Sequence, residues 1–220
     1  MVIVVIPAFN EAATIGGVVH AVRRVCNLCV VVDDGSKDDT ADIARGAGAA
    51  VLSHEINRGQ GAAIETGFVY ARTLSPTAVV TFDADGQFDA TDIPRAVEYM
   101  EQTQSDIVFG TRFSTSARAV PVLKRFFLMP LAKAIDRLFG APELSDVHNG
   151  FRVLGPKALA CIRITQDRMA HASEIPRLAH QHGLRIGQFP VTVHYTEFGQ
   201  GVSGGVRIVR DLIVGLFVRK

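Results

Sequence analysis

The 220-residue chain predicts an α/β protein with a mostly parallel sheet flanked by helices, and three observations carry that prediction. Short apolar runs rich in β-branched residues alternate with stretches of helical period. The runs are apolar on both faces, as strands covered by helices on both sides must be. The first four are followed by polar loops rich in Gly, Asn or Asp. In chain order the runs are VIVVI at 2–6, CVVVD at 29–33, AAVLS at 49–53, AVVTF at 78–82 and DIVFG at 106–110. The helical stretches between them are 11–25, 39–46, 61–73 and 91–101, the last with Thr91 as N-cap and Pro94 in its first turn. Right-handed crossovers join parallel neighbours of this kind.

Hydrophobic side chains make up 48% of the sequence, enough at this length for one domain spanning residues 1–220. Its net charge of +1 conceals an asymmetry. Residues 1–110 carry 7 Lys and Arg against 15 Asp and Glu, whereas residues 111–220 carry 16 against 7. The acidic half suits a metal ion, and the basic half suits phosphates or an anionic membrane surface; no nucleic-acid partner is expected. The apolar run LIVGLFV near the end is far short of the ~20 residues that cross a bilayer. MVIVVIPAFNE has neither the basic start nor the long apolar centre of a signal peptide, so a cytoplasmic location is expected. Cys26 and Cys29 have C-x-x-C spacing without a second pair to complete a zinc site, and they read as buried reduced thiols.

In open parallel sheets, ligands bind beyond the carboxyl ends of the strands where the strand order reverses. The loops there are PAFNEA, DDGSKDDT, NRGQGAA and DADGQFD. A strand order of 3-2-1-4 sets the first and fourth beside one crevice, with Asp83 and Asp85 facing Pro7 to Glu11. Like charges this close repel unless a cation lies between them. In an extended segment Asp83, Asp85 and Gln87 fall on one face and bring three oxygen ligands to one hard cation. A turn that simply ends the strand is the alternative reading of D-x-D. An EF-hand is excluded, because Gly86 stands at loop position four and Pro94 at position twelve. The chain has no P-loop motif, and GQGAAI puts Ile64 where a dinucleotide fingerprint needs its third Gly.

Taken in order, IPAFNEAATI, VVDDGSKDDT, NRGQGAAIETGF, TFDADGQFDATDIP, DIVFGTRF and DVHNGFRVL resemble the family 2 glycosyltransferases with the GT-A fold, and within them the polyprenyl-phosphate branch of dolichyl-phosphate mannose synthases. The resemblance implies a nucleotide-diphospho-sugar donor of the GDP-mannose or UDP-glucose type, a Mg or Mn cofactor and inverting transfer of a hexose to a polyprenyl-phosphate acceptor. The alternatives are a hydroxyl acceptor or a non-catalytic sugar-nucleotide-binding module. Carried over residue by residue, it puts Pro7, Ala8, Phe9, Asn10 and Glu11 in the nucleotide pocket, with Val32 and Asp34 against the base and Gly59 nearby. Asp83 and Ala84 fall near ribose and diphosphate, Asp85 and Gln87 at the metal, and Arg112 and Arg152 at phosphate charge. Glu174 matches an acceptor-side carboxylate of the family; for a hydroxyl acceptor, Glu174 or Asp146 would take the proton. One departure stands out: between His194 and Arg207 the chain lacks the Arg and Lys that usually flank a Gly-x-Ser in this branch.

The stretch 111–140 has six Lys or Arg against Asp136 alone, interleaved with Phe126, Phe127, Leu128, Met129 and Leu131. GGVRIVRDLIVGLFVRK near the end repeats the pattern. Both have the composition of segments that lie in a headgroup plane, which predicts peripheral docking on the cytoplasmic face of a membrane; an ordinary helix pair whose apolar face packs on the sheet is the alternative reading.

Overall fold

A computed structural model describes residues 1–112, 146 and 149–194. Among the described residues seven strands form one sheet in the order β3-β2-β1-β4-β6-β5-β7. They are β1 (Val2–Ala8), β2 (Leu28–Asp33), β3 (Ala50–Ser53), β4 (Ala78–Thr81), β5 (Ile107–Thr111), β6 (Arg152–Leu154) and β7 (Ile186–Pro190). The 3-2-1-4 order is present, with β1 parallel to both β2 and β4. The sequence does not disclose β6, which inserts antiparallel between β4 and β5 and pairs Val153 with Val80 and Val108. Strands from the basic half thus complete the sheet begun by the acidic half.

Helices α1 (Ile15–Arg23), α2 (Thr40–Gly46), α3 (Gln60–Arg72), α4 (Asp92–Gln102), α5 (Pro156–Cys161) and α6 (His171–Gln181) cover both faces. Successive strand residues point to opposite sides. Val4, Ile6, Val31 and Val80 therefore pack with Ile15, Val19 and Val22 of α1 and Ile93 and Ala96 of α4. Ile3, Val5, Val30 and Val79 pack with Ala63, Ile64 and Phe68 of α3 and Ile175 of α6. These two apolar layers explain why the strands read as continuous hydrophobic runs.

Two helix starts differ from the sequence reading. Residues 11–14 form a turn, in which Glu11 O accepts from the Thr14 and Ile15 amides, so α1 begins at Ile15. Thr91 precedes α4 but makes no side-chain cap; instead Asp89 Oδ1 accepts from the Thr91 amide at 2.9 Å and hydroxyl at 2.7 Å. Thr91 thus holds the N-cap position, and the Asp89 carboxylate, two residues before it in the chain, closes a local turn onto it. Among the described residues no helix is long and apolar enough to cross a membrane. Of the two stretches to which surface docking was assigned, residues 113–140 of the first and the whole of the second, 204–220, lie outside the described residues.

Candidate functional site

A cavity of about 420 Å³ opens at the carboxyl ends of β1 and β4, where the strand order reverses. The β1 loop contributes Pro7, Ala8, Phe9 and Glu11; the end of β2 contributes Asp34; the start of α3 contributes Asn57, Gly59 and Gln60; the β4 loop contributes Asp83, Ala84 and Asp85. Gly150 and Arg152 form part of the wall, as do Met169, His171 and Ala172 at the start of α6. Ten of the residues nominated from the sequence meet here. Gln60, Asn57, Met169, His171 and Ala172 also line the cavity; Gln60 and Asn57 lie in or beside the quoted NRGQGAA loop, but nothing local in the sequence announces Met169 or Ala172.

The β4 loop is held at both ends. Phe82, Phe88 and Phe151 stack edge to face with ring centroids 5.7 to 6.2 Å apart, and Gln87 O accepts from the His194 amide. Between these anchors the chain turns rather than extends: Gly86 adopts φ 74° and Asp85 Oδ1 accepts from the Gln87 amide at 2.9 Å. Gln87 is consequently not two places along a strand from Asp85, and it does not line the cavity. The protein presents two carboxylates, Asp83 and Asp85, rather than three ligands on one face. Among the described residues no group of three or more His, Cys, Asp or Glu gathers around a common point.

Electrostatics concentrate at Asp83. Burial, then the charge of Asp85, push its carboxyl up to about 6, against the opposing pull of Arg152, Arg112 and a 3.2 Å hydrogen bond from the Gln60 amide. Arg152 is fully buried, and burial lowers it to about 10 although Asp83 and Asp146 both favour its charge. Gly150 lies so close that a methyl there would overlap the Asp83 carboxylate. Glu11, on the opposite loop, is also raised by burial, with Asp85 and Asp38 adding to the effect and a Thr14 hydrogen bond opposing it. The pair fits a divalent cation: two hard oxygen donors strained by mutual repulsion, leaving positions for phosphate oxygens and water.

Residues 3–163 match the sequence family described as glycosyl transferase family 2. The chain belongs to glycosyl transferase family 2. Among relatives of the transferase, the UDP-N-acetylglucosamine–dolichyl-phosphate N-acetylglucosaminyltransferase of Methanococcus voltae is 28% identical, covering 97% of this chain and 95% of its own length. The dolichyl-phosphate hexose transferase of Haloferax volcanii is 31% identical over 86% of this chain and 80% of its own. The crystal structure of glucosyl-3-phosphoglycerate synthase from Mycobacterium tuberculosis, with Mn2+, UDP and glucosyl-3-phosphoglycerate, superimposes with a TM-score of 0.76 at 20% identity, covering 98% of this chain and 78% of that one. That likeness establishes the GT-A fold.

The remaining nominated residues of the transferase lie off the cavity, and each has a local task. Val32 is core beneath α3. Asn10, at φ 55°, ties the β1 loop to the β2 loop: its amide donates to Ser36 Oγ, and its Oδ1 accepts from the Lys37 amide. Arg112 grips Asp146 in a two-point ion pair, Nε to Oδ2 at 2.6 Å and Nη2 to Oδ1 at 2.8 Å, and Asn149 also donates to Asp146. Glu174 is buried on the first turn of α6; Oε2 accepts from the Thr165 and Gln166 amides at 3.0 Å, and Oε1 accepts from the Thr165 hydroxyl at 2.5 Å. Its partner on that turn, His171, is also buried and does line the cavity, with Nδ1 2.7 Å from the Arg168 carbonyl. Cys26 and Cys29 are free; burial pushes their thiols up to about 11 and about 12.

Proposed function

We propose that the transferase moves a hexose-class sugar from a nucleoside-diphosphate donor to a polyprenyl phosphate, inverting the anomeric carbon. The observation that carries this reading is the charge of the cavity: Asp83 and Asp85 stand beside buried Arg152, a cation suited to phosphate, while Asp146 and Glu174, nominated as a general base, are tied up outside it and the other cavity carboxylates, Glu11 and Asp34, lie on the walls that bound the donor. A hydroxyl acceptor needs a base within hydrogen-bond reach, whereas a lipid phosphate arrives ionised and needs none. The names of the two dolichyl-phosphate-using relatives support the same acceptor class.

In the transfer, an acceptor phosphate oxygen forms a bond to the anomeric carbon from the face opposite the leaving group. The bond from that carbon to the diphosphate oxygen breaks, and its electron pair leaves with the nucleoside diphosphate. A Mg2+ or Mn2+ ion held by Asp83 and Asp85 would supply the positive charge that stabilises the departing diphosphate. Pro7, Phe9 and Glu11 bound the donor on one side, and Gly59 and Gln60 bound it on the other. Arg152 supplies a fixed positive charge that costs no reorganisation when negative charge develops. Phe9 and Met169, both partly exposed, border the cavity with apolar surface suited to a base or a sugar face.

The test is transfer of labelled sugar from UDP-N-acetylglucosamine, UDP-glucose and GDP-mannose to dolichyl phosphate in detergent with Mn2+, the lipid product being extracted and separated. Lipid-linked sugar from one donor, lost in Asp85→Asn, supports the reading. Donor turnover onto a hydroxyl acceptor only, with dolichyl phosphate inert, overturns it.

A further inference from the structure

We propose that His54 is a positioning residue for donor binding: it fixes the Asp34 carboxylate, which in turn holds the Arg58–Gly59 backbone at the cavity wall. Asp34, Gly59 and Gln60 line the cavity, whereas His54 does not. Asp34 Oδ1 accepts from the Arg58 amide at 2.9 Å and sits 2.6 Å from His54 Nδ1, and Oδ2 accepts from the Gly59 amide at 2.6 Å. A carboxylate in this position accepts only, so His54 Nδ1 carries its hydrogen. The other ring nitrogen, Nε2, lies 2.9 Å from the Thr66 hydroxyl on α3. The imidazole therefore joins the end of β2 to the body of α3 across two hydrogen bonds, both part-buried.

The arrangement matters because of what Asp34 holds. Gly59 adopts φ 110°, which side chains with a Cβ rarely take, and a Cβ there would also overlap the Asp167 carbonyl. This glycine opens α3 and aims Gln60, whose side-chain amide reaches Asp83. From His54 to the acid pair the contacts run without a break: His54, Asp34, Gly59, Gln60, Asp83. Release of Asp34 from the imidazole lets the carboxylate rotate and frees two backbone amides, which loosens the wall that faces the ligand.

The two ring nitrogens can be separated by substitution, since an Asn amide nitrogen occupies the place of Nδ1 and a Gln amide nitrogen that of Nε2. His54→Asn keeps the bond to Asp34 and loses Thr66; His54→Gln does the reverse. The inference rests on the cavity being a nucleoside-diphosphate site, so the experiment has a ligand-free arm. UDP and GDP are titrated calorimetrically with Mn2+ into wild type and both variants, and amide hydrogen exchange is followed at Arg58 and Gly59 without nucleotide. The expected result is nucleotide affinity within about threefold of wild type for His54→Asn, and a loss of about tenfold or more for His54→Gln. Arg58 and Gly59 should exchange faster in His54→Gln alone, and the sugar-nucleotide KM should rise with kcat unchanged. Equal exchange and equal affinity in all three proteins overturn the inference, as does a matched loss in both variants that follows their melting temperatures. If wild type binds neither UDP nor GDP, the donor reading falls, and the exchange rates alone decide whether His54 positions the turn.

Discussion

Replacement of Glu174 separates two accounts of the same residue. If Glu174 removes a proton during transfer, Glu174→Gln should cut kcat by about a hundredfold or more and leave the fold intact. The structure argues for a fastener instead: both carboxylate oxygens are occupied by the Thr165 and Gln166 amides and the Thr165 hydroxyl. These bonds pin the segment that leads to Met169 and His171 on the cavity wall. Glu174→Ala leaves two amides and a hydroxyl without their acceptor, at about 1–3 kcal/mol for each that stays buried. Water entering the vacated space satisfies part of this, so a total of about 3 kcal/mol is expected. For a chain of this size that is a fall in Tm of roughly 6–12 °C, and Glu174→Gln, which keeps one acceptor oxygen, should lose about half as much. The assay is thermal unfolding by circular dichroism beside steady-state transfer kinetics, with donor KM expected to rise more than kcat falls. A Glu174→Ala protein that melts within about 2 °C of wild type but loses about a hundredfold in kcat would refute the fastener account.

Metal and pH act together at Asp83. Because burial and Asp85 hold its carboxyl at about 6, the native state keeps a proton that the unfolded chain releases from about pH 4 upward, and stability contributed by this group falls as pH rises through that window. Mn2+ should therefore raise Tm more at pH 7 than at pH 5, and Asp85→Asn should abolish the difference; an equal shift at both pH values would show that the ion binds elsewhere. Gly150→Ala should displace the Asp83 carboxylate and lower transfer at least tenfold while costing about 1–3 kcal/mol of stability, checked by kinetics and thermal melting. Native protein should react slowly with iodoacetamide at neutral pH at Cys26 and Cys29, and denatured protein quickly, followed by mass spectrometry. Anionic vesicles should sediment wild type at low salt but not the Lys124→Glu, Arg125→Glu double variant, and binding should fade as salt rises.

The sequence by itself determined the first four strands and their parallel pairing, because a strand covered on both faces must be apolar throughout and parallel neighbours need helical crossovers between them, whereas the order 3-2-1-4 on which the crevice depends was decided by the tertiary structure. The sequence also located the loops of the crevice, since polar Gly- and Asp-rich loops after such strands have no packing reason to recur. Those signals are local, and each could be read within a dozen residues of chain. The antiparallel β6 was not legible: three residues, Arg152–Leu154, carry no period, and only the gap between β4 and β5 decides that they pair there. The turn at Gly86 that takes Gln87 off the cavity is the one that D-x-D offered as its alternative reading; what the sequence left open is the choice between turn and extended ligand strand, and the anchoring of the loop by Phe82 and Phe88 against Phe151 far along the chain. Charge pairing followed the same rule. From sequence, Arg112 was assigned to phosphate charge and Asp146 and Glu174 to the acceptor side; tertiary packing gave Asp146 to Arg112 and Glu174 to the Thr165–Gln166 backbone, because a buried charge must find its hydrogen bonds wherever the fold brings donors to it.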